Sequence, residues 1–401
     1  MKARVLVTDG EQRSALAVVR SLGRRGFEVE VCSETGASLA GASRFAGTDH
    51  RIPPVLNDPS AYAEAVAELC RTREPGILLP VTDAALMALL PLRDRMGTAV
   101  IPAPSAAVHA AVSDKESLLD PARAAGLTTP QSLRLDRAQD LPTAGALPPF
   151  PLVVKPSRSV VSSETPSDPG LARFSVTYAE DPDMLRGTLE SLPQSAFPVL
   201  LQERVEGRGE GIFLLLWEGR RLAFFAHRRI REKPPTGGVS VYREAVRPDP
   251  ELLHASTRLL ESFGWSGVAM VEFKRCRHTG RPFLMEVNGR FWGSLQLAID
   301  AGVDFPALLV EAAMGEEVEP VTDYRVGTRS RWLLGDLDHL LIRLRTSYSA
   351  EELPPGSGGR WKAAGSVLLP WRPRDRWEVL RPSDPRPGLR EMGQWVSEMR
   401  R

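Results

Sequence analysis

The chain has 401 residues, 42% of them hydrophobic and 25% charged, the balance of a globular protein with length for two or three domains. A formal net charge of +1 gives no electrostatic footprint for nucleic acid or an anionic membrane, so neither is expected as a partner. The three cysteines and six histidines show neither zinc-site nor disulfide spacing, Val5-Leu6-Val7 is too short for a signal-peptide core, and no apolar run approaches a membrane span. A soluble cytoplasmic protein is the expectation.

Along the chain, RVLVT (4–8) reads as a strand and 11–25 as a helix with Ala15, Val18, Val19 and Leu22 on one face, stopped by Gly26. FEVEVCS (27–33), GILLPVTD (76–83) and TAVIPAPS (98–105) repeat the strand signal. Alternating strands and helices predict a parallel, doubly wound sheet whose strand ends form a crevice. Asp9-Gly10 falls at the first strand end, but GxGxxG is absent, which argues against a dinucleotide site. SDKESLLDPARAAGL (113–127) predicts a helix with a Ser113/Glu116 capping box, Lys115 in its first turn and Gly126 as its stop. PLVVKPS (151–157) is a strand ending at Lys155-Pro156, and the Ser- and Pro-rich 157–172 is long enough for a functional lid. Residues 197–230 hold three strand-like runs with turns at 207–209 and 218–219; helices follow at 252–263 and about 295–315. The basic run 329–345 and a polar tail close the chain, and Trp332, Trp361 and Trp371 do not decide their role.

Between the last two helices, residues 267–294 read as two strands joined at His278-Thr279-Gly280. A three-residue loop there makes 277 face 281 and 272 face 286. Glu272 and Glu286 would then oppose each other across about 5 Å, a destabilising arrangement unless a cation lies between them. Asn288 shares their face and adds an oxygen, and such a set suits Mg²⁺, which completes its shell with water and phosphates. A solvated, salt-bridged hairpin is the competing explanation.

The order Lys115, VVKP, QERVEG, VEF and MEVNGRFWGS resembles the ATP-grasp superfamily over roughly residues 3–318. AHRRIREKPPTGGVS (226–240) is similar to the carbamoyl-phosphate-synthase-like ligases within it. The resemblance implies an α/β doubly wound N-terminal domain (1–112), then an α+β ATP-grasp pair made of a central subdomain (113–195) and a C-terminal subdomain (196–318), with 319–401 as a C-terminal extension. It implies ATP and one or two Mg²⁺, with Mn²⁺ as a substitute. Lys115 and Lys155 would contact phosphates, Gln202, Glu203 and Val205 the adenine, Glu210 the ribose, and Glu272, Glu286 and Asn288 the metal. Arg290, with Lys155, would act on the transferred phosphoryl group. The loop usual in this superfamily is glycine-rich; here 157–170 holds only Gly170, leaving Arg158 and the hydroxyls of Ser157, Ser159, Ser162 or Ser163 as substitutes.

On a strand ending near Ile230, His227, Arg229 and Arg231 share one face and suit an anionic substrate, unless they are simply a charged edge that discourages aggregation. Asp83, at a strand end, is the candidate for a substrate amine. The expected activity is a carbon–nitrogen ligase that joins a small carboxylate to an amine (or thiol) through an acyl phosphate, releasing ADP and phosphate. Phosphorylation of bicarbonate and a non-catalytic ATP sensor are the alternatives, and the oligomeric state, a homodimer included, stays open.

Overall fold

Four short strands, β1 (Arg4–Val7), β2 (Glu28–Ser33), β3 (Asp49–Arg51) and β4 (Ile77–Leu79), form an all-parallel sheet in the order β3-β2-β1-β4. The computed structural model describes residues 3–162, 170–174, 176–348, 353–354, 357–368 and 375–400. Helices α1 (Arg13–Arg24), α2 (Pro59–Arg73) and α3 (Asp83–Leu89) make the crossovers, as the strand–helix alternation predicts. Asp58 caps α2 by accepting from Ala61 N, and Thr82 caps α3 by accepting from Ala85 N. The cap at Thr82 aims the first residue of α3, Asp83, at the strand ends. TAVIPAPS supplies only a single bridge, Val100 to Ile77, because Pro102 and Pro104 lack the donors of a ladder.

The expected helix at 113–127 is broken. Ser113 ends α4 (Ala106–Ser113), and α5 (Leu119–Ala124) starts only later. Between them the Asp114 carboxylate accepts from the N–H groups of Glu116 and Ser117, which replaces the predicted capping box and leaves Lys115 in a turn.

A second sheet joins β5 (Ser132–Leu135), β6 (Leu152–Pro156), β9 (Thr177–Ala179) and β10 (Val199–Glu203) in the order β5-β10-β6-β9, with α6 (Pro182–Ser191) against it. Because β10 pairs with β5 and β6, the chain leaves this sheet at 204–206 rather than at 195/196. The arms of the predicted lid pair as β7 (Val160–Ser162) and β8 (Leu171–Arg173), with Val160 and Leu171 packed on the N-terminal core. Residues 163–169, with the Ser163 hydroxyl, and the Ser162 side chain lie outside the described residues.

The largest sheet has seven strands. β11 (Gly207–Trp217), β12 (Arg220–Lys233), β13 (Val239–Ala245), β14 (Gly267–Cys276) and β15 (Pro282–Asn288) are followed by β16 (Arg329–Arg331) and β17 (Asp375–Trp377), in the order β15-β14-β11-β12-β13-β16-β17. Residues 207–209, expected as a turn, are strand paired to β14. The last two strands come from 319–401, so that segment is part of the sheet and not an appendage. Helix α7 (Pro250–Ser262) covers one face; α8 (Leu295–Ala301) and α9 (Phe305–Ala313) pack against α1 in a core shared with the N-terminal domain. α10 (Leu333–Arg345) lies on β12 and contacts α11 (Arg360–Leu368), and α12 (Arg386–Met399) ends the described chain. Arg20 of α1, fully buried, donates to Asp384 at 2.8 Å and to the carbonyls of Glu378 and Val379, which locks the C-terminal segment to the first helix. Among the described residues, no helix is long and apolar enough to cross a membrane.

Candidate active site

A cleft of about 420 Å³ opens between the second sheet and the seven-stranded sheet, and α1 reaches its edge. On the small-sheet wall, Leu200 faces Lys155 and Gln202 faces Val153, so alternation puts Lys155 and Gln202 on one side. Lys155 Nζ donates to Gln202 Oε1 at 2.7 Å, and Gln202 Nε2 donates to Ser132 at 3.1 Å. Burial lowers the Lys155 ammonium to about 8. Glu203 and Val205 line the cleft beside them, where the adenine was expected. Lys115 Nζ donates to Ser159 Oγ at 3.1 Å and stands 3.7 Å from Glu286. Arg158, the other cation of the loop, is turned to Asp114 at 3.3 Å.

On the opposite wall Glu272 does face Glu286, but by a different route from the one expected. Cys276 N donates to Arg281 O, closing a four-residue loop, and Met285 is an extra residue between Leu284 and Glu286 that restores the pairing. Protein cations flank the two carboxylates: Arg229 lies 2.6 Å from Glu272, and Lys115 serves Glu286. Burial pushes the Glu272 carboxyl up, with Arg229 opposing and Glu286 reinforcing. For Glu286 burial acts in the same sense, but Lys115, the Asn288 amide, Lys155 and Arg290 outweigh it and hold its carboxyl below the usual range. Asn288 Nδ2 donates to Glu286 at 3.0 Å while its Oδ1 accepts from Arg290 at 2.9 Å. Arg290 Nε in turn donates to Asp83 at 2.8 Å. Asp83 is therefore a partner of Arg290 and not a free anchor for an amine.

Three further expectations change. Glu210 lies off the cleft, paired with Arg275 at 2.8 Å, because Gly209 and Gly211 occupy the cleft-facing positions of β11. A Cβ at Gly209 would come within 2.6 Å of Arg229, so the glycine makes room for that side chain. Arg231 leaves the shared face because Ile230 is bulged out of β12; it forks onto the fully buried Asp336 at 2.5–2.6 Å, and Glu232 turns into the cleft in its place. His227 does line the cleft, but burial drops its pKa well below the ordinary value, so it is neutral. Arg229 lies on the same wall, committed to Glu272 and to Glu232 at 2.8 Å, and burial is overridden by these partners to raise its pKa.

The cleft also holds residues that sequence reasoning missed. Lys274 sits two residues from Glu272 on one strand face, so alternation alone could have found it. Arg13 opens α1 at the end of β1, where the crevice rule for parallel sheets points. Glu232 had no signal, since only the bulge turns it inward.

Comparison with known proteins now has a geometry to meet. Residues 196–335 match the family model described as ATP-grasp in the biosynthetic pathway with Ter operon. No curated protein matches the chain. An L-amino acid ligase from Bacillus licheniformis superposes with a TM-score of 0.61 at 16% identity, over 80% of this chain and 78% of that one. N5-carboxyaminoimidazole synthetase from Staphylococcus aureus gives 0.65 at 14%, over 86% of each chain. The chain has the ATP-grasp fold. The biotin carboxylase domain of the Hydrogenobacter thermophilus 2-oxoglutarate carboxylase, solved with MgADP and bicarbonate, shares that fold at a TM-score of 0.63 and 15% identity, over 82% of this chain and 74% of that one.

Proposed function

We propose that the chain is an ATP-dependent ligase that joins a small carboxylic acid to an amine through an acyl phosphate. The observation that carries this reading is the convergence of Lys115, Lys155, Lys274 and Arg290 on the opposed carboxylates Glu272 and Glu286 in one cleft. Cations held in a partly dry cleft suit a polyphosphate. The likeness to the ATP-grasp family model and fold supports ATP as that polyphosphate.

Among the described residues, no group of three or more His, Cys, Asp or Glu is placed to hold a metal by itself. Two carboxylates and one amide oxygen are nevertheless the donor types that Mg²⁺ or Mn²⁺ takes, with phosphates and water in the remaining positions. The Asn288 amide would have to turn its Oδ1 from Arg290 toward Glu286 to join them. Glu272, Glu286 and Asn288 would hold it, and the bound ion would screen charge on the β- and γ-phosphates.

Lys155 and Lys115 hold the phosphates, and Gln202 fixes the Lys155 ammonium against one edge of the pocket. Glu203 and Val205 line the base end. Arg290, aimed by Asp83, clamps the transferred group; burial is outweighed by that carboxylate, so the guanidinium stays charged. The acid's carboxylate oxygen forms a bond to the γ-phosphorus as the bond to the ADP oxygen breaks. The amine nitrogen then adds to the acyl carbon, phosphate leaves, and the nitrogen gives up a proton. The acyl phosphate would have to be kept from water until the amine attacks.

The test is ADP and phosphate release over paired amino acids, dicarboxylates and amines, with bicarbonate alone as a control acid and Glu286→Ala as the control protein. Release that needs both an acid and an amine, and that Glu286→Ala abolishes, is expected. Tight nucleotide binding without turnover across the panel would favour a sensor, and turnover surviving Glu286→Ala would sink the metal assignment.

A further inference from the structure

The nucleotide reading leaves one part of the cleft unused, the part walled by Arg13, His227, Ser240, Gly293 and Ser294. Arg13 enters from α1, lies over the Trp332 ring at 3.8 Å, and donates through Nη1 to Glu378 at 2.8 Å. The same Glu378 oxygen also takes the fully buried Arg243. Two guanidiniums thus share one carboxylate, and a net positive charge is left at the cleft wall. The next carboxylate, Glu391, accepts from Trp332 Nε1 at 2.7 Å, and burial raises it to about 7, so near neutrality it is only partly ionised. Arg229, the other guanidinium on this side, shares the carboxylates Glu272 and Glu232 with Lys274, so those two cations and two anions balance.

A partly buried surplus cation is stabilised by an anion brought to it. Arg13 lines the open cleft, and its Nη2 lies against Gly293, where an added Cβ would come within 3.3 Å of that nitrogen. Two more groups await a ligand. Buried His227 Nε2 and Ser240 Oγ have no hydrogen-bond partner among the described residues, an arrangement that costs free energy unless something polar meets them.

We propose that this end of the cleft holds the second carboxylate of a dicarboxylic acid, paired with Arg13 and hydrogen-bonded by His227 and Ser240. Glu378 is a positioning residue that holds Arg13 from the far end of the chain, so residues 319–401 complete the acid pocket. The inference rests on the ligase reading only in taking the cleft's second ligand to be the acid.

Direct binding tests it without turnover. Calorimetry with the full chain saturated with Mg²⁺ and a non-hydrolysable ATP analogue compares succinate, glutarate, aspartate and glutamate with butyrate, pentanoate and alanine. At least one dicarboxylate should bind about tenfold or more tighter than its monocarboxylate counterpart. Arg13→Met should erase that preference with nucleotide affinity unchanged, and Arg13→Lys should keep part of it. Should Arg13→Met fail to fold, Gly293→Ala leaves the ion pair intact, crowds Nη2 and should weaken the dicarboxylate by about tenfold. No binding of any of the four, equal binding of the monocarboxylates, or a preference that survives Arg13→Met would overturn the proposal. ADP release measured in parallel separates the two ideas: dicarboxylate binding without release with any acid contradicts the ligase and supports the pocket. Release with monocarboxylates alone contradicts the pocket and supports the ligase.

Discussion

The two ends of the cleft are built in different ways. The proposed nucleotide end takes its groups from neighbouring strands: Lys155 beside Gln202, Glu272 across from Glu286, and Asn288 and Arg290 directly after. The far end joins Arg13 to Glu378, 365 positions away in sequence, through a network that also holds Arg20 on Asp384. Local strand pairing places groups whose chemistry would serve any phosphate donor. Long-range ion pairs place the groups that would choose the acid, and they depend on the whole chain being folded.

The largest expected effect follows from breaking the frame behind the far end. Asp336 is fully buried and holds both Arg231 and Arg331 at about 2.5 Å. Asp336→Ala leaves two guanidiniums without their partner and should cost about 3–5 kcal/mol in urea unfolding. An unchanged midpoint would show that the network is dispensable.

At the nucleotide end, the buried Lys155 gives a pH signature. Burial lowers it to about 8, so below that pH the free protein already carries the cation that phosphates need. Above it the ammonium is lost and must be regained on binding, so nucleotide affinity should fall as pH rises, by up to about tenfold per pH unit. Lys155→Met should bind about 10–100-fold more weakly at pH 7 and show no such bend. A wild-type profile flat from pH 7 to 9 would contradict the role.

Asp83→Asn keeps the volume but removes the charge that aims Arg290, so ADP release should drop by about tenfold with nucleotide affinity nearly unchanged. The smallest effect belongs to Glu210→Gln, on the outer face of β11, which should leave nucleotide affinity within about twofold. A larger loss would return Glu210 to the ribose.

How much was legible in the sequence follows the same division. Strand–helix alternation specified the parallel N-terminal sheet, and motif order located Lys115, Lys155 and Glu286. The opposed glutamates emerged correctly only because two departures cancelled, a longer loop and the extra residue Met285. Simple alternation failed at Arg231, where the bulge at Ile230 exchanges it for Glu232. It also failed at Glu210, where Gly209 and Gly211 hold the inner face. Arg13 had the crevice rule to point to it, but Glu378 carried no local pattern, since its role arises from packing α1 against residues 378–384. A bulge or a distant ion pair leaves little trace in periodicity.

The central claim is that Glu272 and Glu286 form the metal end of a nucleotide site. The most direct measurement is calorimetric binding of ADP with and without Mg²⁺ to the wild-type chain and to Glu286→Gln. The account predicts that Mg²⁺ tightens ADP binding to the wild type by at least about tenfold and that Glu286→Gln loses this gain. Equal Mg²⁺ dependence in both proteins, or none in the wild type, would contradict it.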